Sequence, residues 1–213
     1  MASCQCQGIE REFSEREARR QLIQYRRRGA AGTTRDLVKA LVGMGVDGRS
    51  VIDIGGGVGA VQHGLLEAGA SHALSVEASG AYDEVAREEA ERRGLADRIA
   101  HLHGDFVELA ESIPAADVVT LDRVICCYPD MRALVGASSL RARRAYGLVY
   151  PRSAWWLRLA FAIGNLILQL RRSSFRIFLH PTQEVEAIVA AHGFRRAFHR
   201  FHGMWQVAVF TAG

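Results

Sequence analysis

Lysine is nearly missing from this chain. Lys39 stands alone, and the rest of the 27 basic residues are arginines, set against 23 acids for a net charge of +4. Proline and cysteine are also scarce, at four each. Collagen-like and disulfide-scaffold architectures are thereby excluded. No apolar run reaches the length needed to cross about 30 Å of hydrocarbon. The longest, Leu159 to Leu170, is interrupted by Asn165 and Gln169, and reads as a buried or amphipathic helix. Trp155, Trp156 and the flanking arginines add a secondary reading of that segment as a membrane-surface element. The opening MASCQCQGIEREF has no apolar core of a secretory leader, so a cytoplasmic location with reduced thiols is expected. Arginines cluster at 16–28, 141–144, 171–176 and 195–200, but no stacking aromatics alternate with them, and nucleic acid is not the expected partner.

What is present is an ordinary globular composition, 49% hydrophobic and 23% charged over 213 residues, enough for one domain. A charged amphipathic helix is expected over 9–28. The stretch Arg28-Gly29-Ala30-Ala31-Gly32-Thr33-Thr34 breaks it, and Thr34 is the expected cap of a second helix through Leu37, Val38, Leu41 and Val42. Strand patterns then alternate with helices. Strands are expected at Ser50–Ile54, His72–Val76, Ile99–His103, Ala116–Leu121 and Ala145–Tyr150. Helices are expected up to Ala68, at Tyr82–Arg93, at Asp130–Arg144 and at Thr182–His192. Alternation of this kind predicts parallel βαβ units. The end differs, because Phe194–Phe201 and Met204–Thr211 flank a His202-Gly203 turn and read as a hairpin. The expectation is an α/β, Rossmann-like, doubly wound seven-stranded sheet, with five parallel strands and then a C-terminal antiparallel hairpin.

Asp53-Ile54-Gly55-Gly56-Gly57-Val58-Gly59 lies between the first strand and its helix. Glycine there lets the backbone approach a ligand closely, at the carboxyl edge where open α/β sheets bind ligands. Gly55, Gly57 and Ala60 also fit the dinucleotide pattern G-x-G-x-x-G/A. Glu77 ends the second strand, 22 residues after Gly55, where a carboxylate can accept both ribose hydroxyls. That pair suits a nicotinamide or another nucleoside cofactor equally. Gly104-Asp105-Phe106 follows the third strand, with Asp105 suited to an adenine amino group and Phe106 to its ring. Leu121-Asp122 ends the fourth.

The ordered set VIDIGGGVG, SVEAS, HGDF and VVTLD, closed by a hairpin, resembles the class I S-adenosylmethionine-dependent methyltransferases over residues 33–211. The resemblance implies S-adenosyl-L-methionine as cofactor. It implies that Gly55, Gly57 and Gly59 cradle its methionine part, that Glu77 and the adjoining Ala78 hold the ribose, and that Asp105 and Phe106 frame the adenine. Asp53 would support the loop or the cofactor amine, and Asp122 would complete the site. The segments Asp122–Pro129, Tyr150-Pro151-Arg152 and His180-Pro181 are similar to small-molecule O-methyltransferases of the magnesium-protoporphyrin type. Those enzymes carry an Ile-His-Tyr-Pro-like segment; here Cys127 stands where they have histidine, so the porphyrin substrate does not carry over.

Methyl transfer needs alignment above all, and a base only where the acceptor loses a proton. The candidates are His180, which titrates near neutrality, with Tyr128 and Cys127. Arg123 and Arg152 are suited to an acceptor carboxylate, and Tyr25 and the aromatic pair Trp155 and Trp156 to the acceptor body. The expected organisation is an N-terminal helical arm (1–32) and a cofactor-binding domain (33–213), with a lid insertion at 151–178. The acceptor is then a small, hydrophobic molecule, and O-methylation is favoured. An RNA-modifying methyltransferase and a non-catalytic cofactor-binding partner protein are the alternatives. Cys4 and Cys6, with Cys126 and Cys127, lack zinc-site spacing, and no metal is expected. The oligomeric state is left open.

Overall fold

Runs of alternating β-branched and small residues build the sheet, and the pleat divides them between two covers. The computed structural model describes residues 14–213. The strands are β1 (Ser50–Ile54), β2 (His72–Glu77), β3 (Ile99–His103), β4 (Ala116–Asp122), β5 (Ala142–Pro151), β6 (Phe194–His202) and β7 (Trp205–Ala212). They form one seven-stranded sheet in the order β3-β2-β1-β4-β5-β7-β6. β1 to β5 are parallel, and β7 runs antiparallel between β5 and β6. This is the doubly wound sheet with a terminal hairpin that the pattern predicts.

The helices are α1 (Glu15–Arg28), α2 (Gly32–Gly43), α3 (Ala60–Glu67), α4 (Gly80–Arg92), the short α5 (Phe106–Leu109), α6 (Met131–Ser139), α7 (Trp155–Leu170) and α8 (Thr182–Ala191). On one sheet face Ile52, Ile54, Val119, Leu121, Tyr146 and Leu148 pack under α6 and α8. On the other, Val51, Val118, Ala145 and Val149 meet Leu37 and Leu41 of α2 and Leu65 of α3.

Two boundaries differ from expectation. The helix expected over 130–144 ends at Ser139, because Arg141 is already at the sheet: its carbonyl accepts the Ala116 N–H at 2.8 Å, and Ala142 opens β5 opposite Ala116. The basic cluster 141–144 is thus mostly strand. The second helix begins at Gly32, so Thr34 is not its cap; the Thr34 hydroxyl donates to Asp122 instead, at 2.5 Å. The first helix is described from Glu15 onward, and Cys4 and Cys6 lie outside the described residues.

α1 lies against α4, fastened by charge. Arg26 donates to Glu88 at 2.8 Å and to Glu89 at 2.7 Å, and Arg19 bonds Glu84 and Glu88. Glu89 is fully buried and also receives Arg92 and Arg93. Burial alone raises its pKa, but hydrogen bonds from Arg92, Arg26 and Arg93 overcome that and bring it down to about 2. Between α7 and α8 the chain returns as an extended stretch. Asn165 of α7 clamps it, donating to the Ile177 carbonyl at 2.8 Å and accepting its N–H at 2.9 Å. That double bond accounts for an amide inside an apolar helix.

Glu89→Gln removes the charge that three guanidinium groups share, and is expected to cost about 3 kcal/mol. Because Glu89 titrates lower in the fold than its ordinary 4.5, its contribution is present above that value and is lost as pH falls towards 2. Denaturant titrations at neutral and acid pH check this: the gap between the two proteins closes at acid pH, and a gap independent of pH would contradict the assignment.

Candidate active site

The carboxyl ends of β1, β2 and β4 open on a cavity of about 650 Å³, walled on the far side by α1 and the turn into α2. That volume is in the range of a cofactor or drug-sized ligand. The turn after β1 is made for close approach. Gly55 has φ +61°, and a Cβ there would meet Val124 Cγ2 at 2.7 Å. Gly57, at φ +59°, donates its N–H to Glu77 Oε2 at 3.1 Å. Glu77 Oε1 accepts from Ser79 N–H at the same distance, so one buried carboxylate joins the turns that follow two neighbouring strands. Burial raises the Glu77 pKa, opposed by these backbone donors. With the Ala78 N–H as a third main-chain donor, the carboxylate still has acceptor capacity for a ligand hydroxyl.

Asp53 sits beneath the turn rather than in the cavity. It is fully buried, and its Oδ1 accepts the Thr120 hydroxyl at 2.7 Å. Its Oδ2 has no hydrogen-bond partner among the described residues. Burial, opposed by the Thr120 bond, pushes the carboxyl up to about 7.

Across the cavity, Asp105 caps α5 through the Val107 N–H at 2.9 Å, and the Tyr128 hydroxyl donates to both its oxygens at 3.0 and 3.1 Å. Phe106 forms the wall beside it. At the end of β4, Asp122 Oδ2 accepts from Thr34, and Arg123 Nη2 donates to Thr33 Oγ1 at 2.7 Å. Arg123 adopts a left-handed backbone, φ +64°. Asp122 Oδ1 and Arg123 Nε, 3.6 Å apart, are buried and have no hydrogen-bond partner among the described residues. Burial raises the Asp122 pKa, opposed by Arg123 and Thr34.

One cavity therefore collects Tyr25, Gly55, Gly57, Glu77, Ala78, Asp105, Phe106, Asp122, Arg123, Cys127 and Tyr128. The other expected site residues lie elsewhere. Gly59 supports the turn from behind, at φ +82°. His180 is not in the cavity wall: its Nε2 is 3.0 Å from the Tyr128 carbonyl oxygen, and its ring stacks on Phe178. It props up the Tyr128 main chain, and burial lowers its pKa. Arg152 lies over the Phe201 ring at 5.0 Å. Trp155 and Trp156 are exposed, because α7 turns Leu157 and Phe161 inward and the tryptophans outward. Cys127 reaches the cavity, but Cys126, 3.8 Å away sulfur to sulfur, and burial push its thiol well above the usual range. Among the described residues no cluster of three or more His, Cys, Asp or Glu has the geometry to hold a metal.

The sequence reading missed Tyr82, Thr33 and Gln24. Tyr82 flanks Gly57, and its position in the first turn after β2 is a signal that was open to use. Gln24 shows itself only once α1 is folded over the cavity.

Comparisons with known proteins fit this geometry. Residues 15–136 match the family model of the O-methyltransferase domain. The fold is similar to magnesium protoporphyrin IX methyltransferase (ChlM) from Synechocystis PCC 6803. The form with bound SAH gives a TM-score of 0.70 at 21% identity, covering 85% of this chain and 82% of that one. The form with bound SAM gives 0.70 at 17%, covering 98% and 97%. An O-methyltransferase family protein from Burkholderia thailandensis gives 0.67 at 18%, covering 84% of this chain and 56% of that one. No curated protein matches this chain.

The raised Asp53 pKa has a testable sign. The unfolded chain loses the Asp53 proton near 3.8 and the folded chain near 7, so this carboxyl makes the protein less stable as pH rises between those values. Thermal melting of Asp53→Asn against the parent checks it. The variant's melting temperature is expected to gain on the parent's from pH 4 to pH 7. A constant difference would rule the buried, proton-holding carboxyl out.

Proposed function

This chain belongs to the O-methyltransferase domain family, and from that premise we propose that it methylates a hydroxyl of a small, apolar molecule in the cytoplasm. It is an S-adenosylmethionine-dependent methyltransferase. When bound, the cofactor supplies an electrophilic methyl group on a sulfonium.

The residues fit that group. The turn at Gly55 and Gly57 admits a chain no Cβ would allow, Glu77 offers its remaining lone pairs to the ribose, and Asp105 with Phe106 suits the adenine. The Tyr128–Asp105 bond holds the adenine-side carboxylate in one orientation.

The observation that carries the acceptor side is the Asp122–Arg123 corner. A carboxylate oxygen and a guanidinium nitrogen, both buried and both lacking a hydrogen-bond partner among the described residues, meet in the cavity wall. Burial raises the Asp122 pKa above its ordinary value, opposed by Arg123 and Thr34, which makes it a stronger base than a free aspartate. Asp122 takes the hydroxyl proton of the acceptor, and Arg123 steadies the oxygen as it gains negative charge. Thr34 and Thr33 hold these two side chains in place from α2. A phenolic or enolic hydroxyl matches this corner best, since one weak base suffices to ionise it.

Three further features support the reading. Val124, Leu134 and Tyr25 give the wall an apolar patch beside Arg20, Gln24, Arg28 and Arg35. The arginine-rich α1, the feature an RNA acceptor would draw on, engages Arg19 and Arg26 with α4 and so has fewer charges to offer a phosphate backbone. The adjacent thiols Cys126 and Cys127 suit a reducing compartment.

The test is methyl transfer from labelled S-adenosylmethionine into a panel of hydroxylated aromatic compounds, with Asp122→Asn in parallel. The parent's kcat is expected to rise with pH as Asp122 ionises. The variant keeps its cofactor affinity and loses about 100-fold or more in kcat, with the pH dependence gone. Unchanged kcat in the variant would remove Asp122 from the proton transfer, and transfer into RNA alone would replace the small-molecule acceptor.

A further inference from the structure

α7 is apolar on two opposite sides. Leu157 and Phe161 are buried against Cys126 and Trp205. On the other side Trp155, Leu159, Ile163, Leu166 and Leu170 are exposed, three of them by more than 60%. At 100° per residue these five fall within an arc of about 80°, a single stripe along the whole helix. A helix that is apolar all round needs a cover on every side, and nothing among the described residues covers this one.

The charge around the stripe is one-sided. No Asp or Glu occurs between Asp130 and Glu184. Arg158 on the helix, and Arg171 and Arg172 at its end, are exposed and make no ion pair among the described residues. Trp156 adds a second indole beside Trp155 at the opposite end. The helix has 16 residues, about 24 Å, and no helix among the described residues is long and apolar enough to cross a membrane. An apolar stripe with indoles, bordered by unpaired arginines and free of acids, is suited to lying in the headgroup boundary of an anionic bilayer.

We propose that α7 docks this enzyme, parallel to the surface, on a bilayer containing anionic lipids. A second copy of the chain is the poorer occupant. A two-fold contact through α7 brings the Arg158, Arg171 and Arg172 sets of two protomers together, and the 131–183 segment offers no acid to pair them. The proposal goes beyond methyl transfer, and binding alone tests it, so it stands or falls separately from the acceptor assignment.

The experiment is vesicle flotation of the full chain, with tryptophan emission as a second readout. The vesicles are equal parts phosphatidylcholine and phosphatidylglycerol, or phosphatidylcholine alone. Binding to the anionic vesicles with a blue shift is expected, weakening with salt and falling steeply on phosphatidylcholine. Leu159→Gln with Leu166→Gln, both exposed positions, is expected to bind roughly tenfold or more weakly while melting as the parent does. Arg171→Gln with Arg172→Gln weakens binding and flattens its salt dependence. No flotation of the parent at low salt would overturn the proposal. So would a dimer in sedimentation that the Leu159/Leu166 variant dissociates, which would give the face to a second copy.

Discussion

Glu77 joins the two strands whose ends make the cofactor cradle. Parallel pairing of β1 with β2 brings the turn after one strand beside the turn after the other. The Glu77 carboxylate then accepts one N–H from each, Gly57 on one side and Ser79 on the other. A buried carboxylate with fewer donors would be costly. Here the donors are main-chain groups that the turns leave over, so the same bonds satisfy the acid and set the turn. The glycines at 55 and 57 follow from this turn: the left-handed Gly57 points its N–H at Glu77, while the left-handed Gly55 donates to the Val76 carbonyl and passes so close to Val124 that a Cβ would collide with it.

The rest of the site is added by helices that the sheet does not include. Glu89, shared by Arg26, Arg92 and Arg93, holds α1 across the mouth. Tyr25 on α1 stacks on His63 and lies under Arg93, which places an aromatic wall over the cavity. α2 then reaches the end of β4 with two threonines, one on Asp122 and one on Arg123. The cofactor side and the acceptor side thus depend on different packing: the first on the sheet, the second on the docking of the N-terminal helices.

That division explains what could be read from the residues alone. The alternation of strands and helices, the Gly55–Gly59 turn and the acids at the strand ends are local patterns, and six of the seven strands fall within a residue of their expected limits. The helix expected over 130–144 overran because Arg141–Arg144 are polar and helix-favouring, while pairing with Ala116 is a long-range fact. Side-chain direction was equally out of reach. Nothing local says that His180 turns to the Tyr128 carbonyl, or that Trp155 and Trp156 face outward while Phe161 faces in. The threonines at 33 and 34 look like helix-start residues, and only the fold brings them 88 to 90 positions along the chain to Asp122 and Arg123.

The central claim is that the cradle held by Glu77 is the S-adenosylmethionine site. Calorimetric titration of the full chain with S-adenosylmethionine, alongside Glu77→Ala, addresses it most directly. Saturable one-to-one binding is expected for the parent. A hydrogen bond to a charged group contributes about 1.5 kcal/mol or more, so the folded variant should bind at least about tenfold more weakly. Equal affinity in parent and variant would contradict the account and place the cofactor elsewhere.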